Sequence, residues 1–289
     1  MKAAIIGGAG KMGQWFARQL QQEGIEVIIS DCNLEMLVST GRKLKVQTAA
    51  ISKAVIQAEV VIISVPPTAF ESVIREIAPF AREGQIFIDV TSLKTGPVEI
   101  MHRYIKKGTI LGAHPVFGPG AKSPTNQNFV LTPVKEEENL LADKIRHYLE
   151  ERGANVSIMS PQEHDRLMSI VLGLAHFIAI VSADTLLGFE NFQEMKKIGG
   201  TTFKLLYTLV ESVISEDPDL YASLQMRFPN IKEVEGVFVE KAKIWADMVK
   251  ADDRDGFARK MSTLREKLGK TDPEFKHAYE NMYRITEKF

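Results

Sequence analysis

The sequence predicts an α/β fold in which a mainly parallel sheet covered by helices precedes a separate all-helical domain. Three observations carry this reading. Short β-rich apolar runs alternate with helical periodicity up to about residue 160, the pattern of a parallel sheet buried on both faces. Beyond that point only helical patterns follow. A length of 289 residues also exceeds the usual size of one hydrophobic core. The expected domains are therefore residues 1–160 and 161–289.

The elements follow in order. "AAIIG" (3–7) reads as the first strand, and "KMGQWFARQLQQEG" repeats apolar residues at helical spacing before ending at Gly24. Further strands are expected at "EVIIS" (26–30), "EVVIISV" (59–65), "QIFIDV" (85–90), "TILGAH" (109–114) and "FVLTPV" (129–134). The charged stretch 135–153 reads as a surface helix, and "ANVSIM" (154–159) as the last strand. After "SPQEHD" (160–165), breaks at 217–218, 228–230, 251–253 and 271–273 each mark the start of a helix. The apolar run 170–189 contains His176 and Asp184, which favours a buried core helix over a membrane span.

Composition narrows the classes. A net charge of −1 gives no basic footprint for nucleic acid. The lone Cys32 excludes an intramolecular disulfide and fits a reducing, cytoplasmic setting. The N-terminal apolar run is too short for a secretion signal, and no Cys/His cluster has metal spacing.

Gly8-Ala9-Gly10-Lys11-Met12-Gly13 matches G-x-G-x-x-G between the first strand and its helix, and Asp31 ends the second strand. In that context the pattern is specific for a Rossmann-type dinucleotide site. Gly8 is expected to make the tight turn, Gly10 to let the pyrophosphate approach, and Gly13 to let helix and strand pack closely. Lys11 and Met12 begin the helix, whose N-terminus favours phosphate. Asp31 can accept from a ribose diol and would repel a 2′-phosphate, so NAD is expected over NADP. Val65 and Pro66, in "SVPP" (64–67), should lie beside the same crevice, where the prolines also serve simply to stop the strand.

Three further polar groups stand out. Ser92 follows one strand, His114 ends another in "GAHPVFGPG" (112–120), and His176 lies inside the first long helix of the second domain. Ser92 and His114 fall at the carboxyl edge of the sheet, where such folds bind ligands. An imidazole there can take a hydroxyl proton during hydride transfer. From spacing alone a structural role is the more frequent one for each. The glycines and prolines of the loop after His114 are expected to hold the ring in place.

"DVTSLKTGP", "LGAHPVFGPG", "EHDRLM…LAHF" and "DPDLYA" stand in the order found in the prephenate dehydrogenases. The chain resembles that family over nearly its whole length, most closely the dehydrogenase part of the bifunctional chorismate mutase–prephenate dehydrogenases. The resemblance implies NAD-dependent oxidative decarboxylation of prephenate and a helical dimerisation domain, hence a homodimer. It implies that His114 polarises the substrate hydroxyl and accepts its proton, and that Ser92 hydrogen-bonds substrate and histidine. His176 would line the substrate pocket, with Asp165 nearby. One position departs from the pattern. Where the family has a carboxylate-binding arginine before its "DP-LYA" motif, this chain has Ser212, and a serine cannot replace a guanidinium fork. Lys204, Lys122 and Arg227 are the candidate cations. Arogenate, another hydroxyacid- or imine-type substrate, and a non-enzymatic NAD-sensing dimer are the competing readings.

Overall fold

The structure is a computed structural model that describes residues 1–286. It divides into two compact units, Met1–Met168 and Ser169–Phe289. The first unit carries eight strands, β1 (Lys2–Ile6), β2 (Glu26–Ser30), β3 (Gln47–Thr48), β4 (Val60–Ile63), β5 (Ile86–Asp89), β6 (Thr109–Pro115), β7 (Asn128–Thr132) and β8 (Asn155–Ile158). They form one sheet in the order β3-β2-β1-β4-β5-β6-β7-β8. Every pair is parallel except β6 with β7, where His114 lies opposite Val130. The sheet order reverses direction between β1 and β4, the position at which doubly wound sheets open a crevice.

Seven helices belong to this unit: α1 (Lys11–Gln22), α2 (Leu34–Leu44), α3 (Ile51–Gln57), α4 (Phe70–Ile77), α5 (Thr95–Tyr104), α6 (Glu136–Glu150) and α7 (Pro161–Met168). The strands bury almost continuous Ile, Val and Ala runs. Ala4, Ile63, Phe70, Ile74, Phe87 and Met101 form one core layer, and Ile5, Ala17, Ile29 and Ile62 another. β3 has no counterpart among the strands expected from the sequence. Its two residues are both exposed, so no apolar run announces it.

Among the described residues, every regular element of the second unit is helical. A π-helical turn (Ser169–Leu174) leads to α8 (Ala175–Leu187), α9 (Phe192–Ile198), α10 (Thr201–Ile214), α11 (Pro218–Arg227), α12 (Ile231–Lys250), α13 (Arg254–Thr271) and α14 (Ala278–Thr286). Asp217 caps α11 through Asp219 N–H, and Asp253 caps α13 through Gly256 N–H, so two expected break points are helix starts with a side-chain cap. The expected buried core helix is less buried than its composition suggested. Helix Pro161–Leu187 has only 17% of its most apolar window buried. Val181 and Leu187 on α8 are exposed at 41% and 68%. Apolar faces this open on a helical unit mark an interaction surface.

Candidate active site

The glycine loop connects β1 to α1 and is bounded tightly by its neighbours. Gly7, which the sequence pattern leaves out, makes the turn with φ +82°, so the role expected of Gly8 belongs to Gly7. A Cβ on Gly7 would stand 2.2 Å from the Ser64 carbonyl oxygen, and Val65 Cγ1 closes the other side. Gly8 is glycine because a Cβ would overlap Ile29 at 2.5 Å. Gly13 is glycine because its Cβ would sit 2.3 Å from the Gly7 carbonyl oxygen, where helix and strand cross. Gly10 differs. A Cβ there would meet only Gly7 O, at 3.2 Å, so its missing side chain leaves open space on the outer face. That is the surface a phosphate group needs for close approach to the backbone.

Gly10 is the N-cap of α1 and offers no side chain to cap it. The exposed Lys11 begins the helix. Met12 packs against the Trp15–Phe129 cluster, so only its backbone faces the loop. Asp31 accepts from Ala9 N–H and Asn33 N–H, both at 3.0 Å, which ties the end of β2 to the loop. A carboxylate has lone pairs beyond these two bonds. Pro66 is exposed just past β4, and its carbonyl starts a turn by accepting from Ala69 N–H.

His114 lies at the carboxyl end of β6 with 3% exposure. Side chains alternate along a strand, so its neighbours Ala113 and Pro115 point to the other face. There they line an apolar cavity of about 490 Å³ between α1 and α6, and His114 takes no part in it. Its Nδ1 lies 2.9 Å from Nε2 of His164 on α7. Nδ1 of His164 lies 2.8 Å from Asp165 Oδ1. Asp165 in turn accepts from Lys94 N–H at 2.8 Å and Thr95 N–H at 2.9 Å, the N-cap and the first residue of α5. The carboxylate therefore caps α5 across the fold, where the helix N-terminus favours negative charge. Asp165 was expected beside the substrate. The residue is 5% exposed, and its carboxylate accepts from protein groups. Ser92, expected against the imidazole, is half-buried, and Nδ1 of that ring is partnered by His164.

Lys94 has no exposure at all. Its Nζ donates to the Asp89 carboxylate and, at 2.7 Å, to the Ala113 carbonyl oxygen. Burial pushes the ammonium down and the Asp89 carboxyl up, so the pair is drawn towards sharing one proton. The surroundings also act on the imidazoles. Burial, then the repulsion that a protonated His164 and Lys94 would exert, hold His114 well below the usual imidazole range. Burial likewise lowers His164, although Asp165 opposes it. For Asp165 itself, burial raises the carboxyl, but hydrogen bonds from His164, Thr95 and Lys94 outweigh it and hold it below its ordinary value.

His164, Lys94 and Gly7 are the site residues that sequence reasoning left unassigned. His164 stood in view within "EHD", one residue from the Asp165 that was chosen. Ser160 Oγ accepts Glu163 N–H and Pro161 starts α7, which fixes where on the helix His164 falls.

In the second unit, the His176 ring packs edge-on against Tyr221 of the "DPDLYA" segment, with centroids 4.7 Å apart. Its Nδ1 is buried without a protein partner among the described residues, and burial lowers its pKa. Ser212 Oγ donates to Leu209 O on its own helix. Lys204 on α10 is exposed and makes no ion pair among the described residues.

A doubly wound sheet with a glycine loop, an acidic residue after β2, and a buried imidazole at the carboxyl edge defines the nucleotide-dependent dehydrogenases. The comparisons narrow the class. The nucleotide-binding domain of prephenate dehydrogenase matches residues 16–158, and its dimerization domain matches residues 160–263. The chain belongs to the prephenate dehydrogenase family. It is 35% identical over 270 residues to a probable arogenate/prephenate dehydrogenase of Methanocaldococcus jannaschii, covering 92% of this chain and 60% of that protein. It is 26% identical to the T-protein of Haemophilus influenzae, covering 95% of this chain and 69% of that one. The crystal structure of a prephenate dehydrogenase from A. aeolicus with hydroxyphenyl propionate and NAD+ shares the fold at a TM-score of 0.76 and 20% identity. That match covers 94% of this chain and 98% of the other.

The glycine geometry separates two roles that one motif combines. Gly13→Ala should cost roughly 1–3 kcal/mol of stability by overpacking, whereas Gly10→Ala should leave stability within about 0.5 kcal/mol of the parent. Chemical denaturation of both variants checks this. Equal losses would show that Gly10 is also a packing glycine.

Proposed function

We propose that the protein is a prephenate dehydrogenase that uses NAD, works as a homodimer and acts in the cytosol on the route to tyrosine. The observation that carries the reading is His114. It is a buried neutral imidazole at the carboxyl edge of the sheet, in a chain that belongs to this family. In this reading residues 1–160 hold the cofactor, and residues 161–289 supply substrate contacts and the dimer surface.

NAD fits the first unit. Gly10 leaves the space a pyrophosphate would occupy, the uncapped N-terminus of α1 at Lys11, Met12 and Gly13 offers backbone donors, and Gly8 packs the turn beneath. Asp31 would accept from the adenosine ribose, with Val65 and Pro66 on the flank. Bound there, NAD supplies the hydride acceptor. His114 accepts the proton of the substrate hydroxyl as hydride leaves the carbon that bears it. The carbon–carboxylate bond then breaks, its electron pair completes the aromatic ring, and CO2 departs. The proton returns to the phenolate oxygen. Ser92 would hold the substrate hydroxyl against the imidazole. His176 would use its unpartnered Nδ1 on the substrate, since a buried nitrogen requires a partner. Lys204 would face a substrate carboxylate in place of the missing arginine, as a point charge rather than a fork.

The direct test is NADH formation, followed by its near-ultraviolet absorbance, with prephenate and with arogenate. Turnover of prephenate is expected. Turnover of arogenate alone would move the assignment to arogenate, and turnover of neither would overturn it. With NADP the catalytic efficiency should fall well below that with NAD. Equal efficiency would remove Asp31 as the selector.

His114→Asn should lower turnover by about 10²–10⁴-fold, the usual cost of losing a general base, with NAD affinity little changed. The working form is neutral, and burial depresses the imidazole, so activity is retained as pH falls and is lost only on passing its folded pKa. The acid limb of kcat/KM should therefore lie below about 6.5. A limb above that value, or near-normal turnover of the variant, would exclude His114 as the base.

The exposed apolar residues of the helical unit support the dimer. Sedimentation at micromolar concentration should give a two-chain species. A fully active monomer would contradict it.

A further inference from the structure

The ring of His114 has two nitrogens, and a base needs the proton on the one that faces away from the substrate. The chain of contacts behind the ring decides which one that is. Asp165 takes two backbone N–H groups at the start of α5 in addition to His164, and those donors hold it as a carboxylate. A carboxylate can only accept. The hydrogen between Asp165 and His164 therefore sits on His164 Nδ1. His164 is neutral, being buried beside Lys94, so its Nε2 is a bare lone pair. That lone pair lies 2.9 Å from His114 Nδ1, which must then carry a hydrogen. Nε2 of His114 remains without one. The opposite assignment would place the lone pair of His164 Nδ1 against the carboxylate at 2.8 Å with no hydrogen between them.

We propose that His164 and Asp165 are positioning residues that fix the tautomer of His114, leaving its Nε2 as the proton acceptor of the reaction. The proposal rests on the reading of His114 as the base. Neither residue needs to touch substrate or cofactor for this role. The groups that face the chain are consistent with it. Lys94 is paired with Asp89, and the start of α5 presents to Asp165 the backbone N–H groups of Lys94 and Thr95 together with the Thr95 side chain.

The decisive measurement is the nitrogen chemical shifts of the His114 ring in protein labelled with ¹⁵N-histidine, assigned with His114→Asn. A protonated Nδ1 and a bare Nε2 are expected at neutral pH, and the reverse overturns the proposal. Asp165→Asn removes the obligatory acceptor. It should let the His114 shifts move towards a mixture of tautomers and lower kcat by roughly 10²-fold. KM and NAD affinity should stay within about threefold, because the lost interaction is one made at the chemical step. His164→Gln can keep an oxygen acceptor opposite His114 Nδ1 and should retain more turnover than His164→Met, which offers none of comparable strength. Parental kcat in Asp165→Asn, or equal losses in Gln and Met, would reduce the pair to a structural role. Where Asp165→Asn does not fold, the shifts of the parent and the two His164 variants still decide. A parent protein inactive on prephenate and on arogenate would overturn the functional reading instead, while the ring shifts would still test the tautomer.

Discussion

An ammonium with no access to water cannot stand alone in a protein core. Removing it from water costs several kcal/mol unless good partners replace the lost hydration. Lys94 is therefore confined to the one place where the Asp89 carboxylate and the Ala113 carbonyl meet. Both groups sit at strand ends, on β5 and β6, whose parallel register sets Asp89 beside Gly112. Gly112 carries no side chain because Lys94 Cδ, Val98 and Thr132 fill the space above it. The residue after Ala113 is His114, and the residue after Lys94 opens α5. One buried side chain thus sets the edge of the sheet, the start of a helix and the root of the imidazole. Separating the pair by substituting one member would strand the other charge in the core, a loss of about 3–5 kcal/mol in comparable cases.

The same cluster arranges opposite demands on neighbouring groups. Burial and nearby positive charge keep His114 and His164 neutral, while four hydrogen-bond donors on α5 and α7 or their capping residues would be wasted on a neutral acid. Asp165 is thereby held ionised with only the His164 ring between it and His114. Neutral imidazole and ionised carboxylate coexist because their surroundings differ, one apolar and cationic, the other rich in N–H. Pairs of groups pushed apart in this way are a mark of acid–base sites.

Most of the first unit was legible because its strands are fully buried and made of β-branched residues, a composition that few other structures produce. The two-residue β3 was not, since Gln47 and Thr48 carry no apolar signal. The glycine motif gave the cofactor loop but assigned the turn to Gly8. Only the backbone reveals that the left-handed residue is Gly7 and that Gly8 is excluded from a side chain by Ile29. The pairing of His114 was missed for a related reason. Ser92 and His114 end adjacent strands in the topology that spacing implies, whereas His164 arrives on a helix fifty residues later in sequence. Long-range pairing of polar side chains leaves no periodicity to read. The helix at 170–189 shows the reverse limit, since its apolar content was plain and what it packs against was not.

The path of the loop after His114 is held by contacts as well as by its prolines. Gly118 and Gly120 have neither positive φ nor any neighbour crowding a Cβ, so they do not enforce its path. Phe117 does, wedged edge-on between Trp15 and Phe129 at 5.0 and 5.2 Å. Trp15 Nε1 then donates to Ala121 O at 2.7 Å, and Gln19 to Lys122 O. Fixing each backbone residue costs roughly 1–2 kcal/mol of conformational entropy, so a long exit loop stays ordered only if contacts of this kind offset it. Trp15 and Gln19 lie on α1, the helix whose first turn opens at Gly10. The glycine loop and the segment leaving His114 are thus referenced to a single rigid helix.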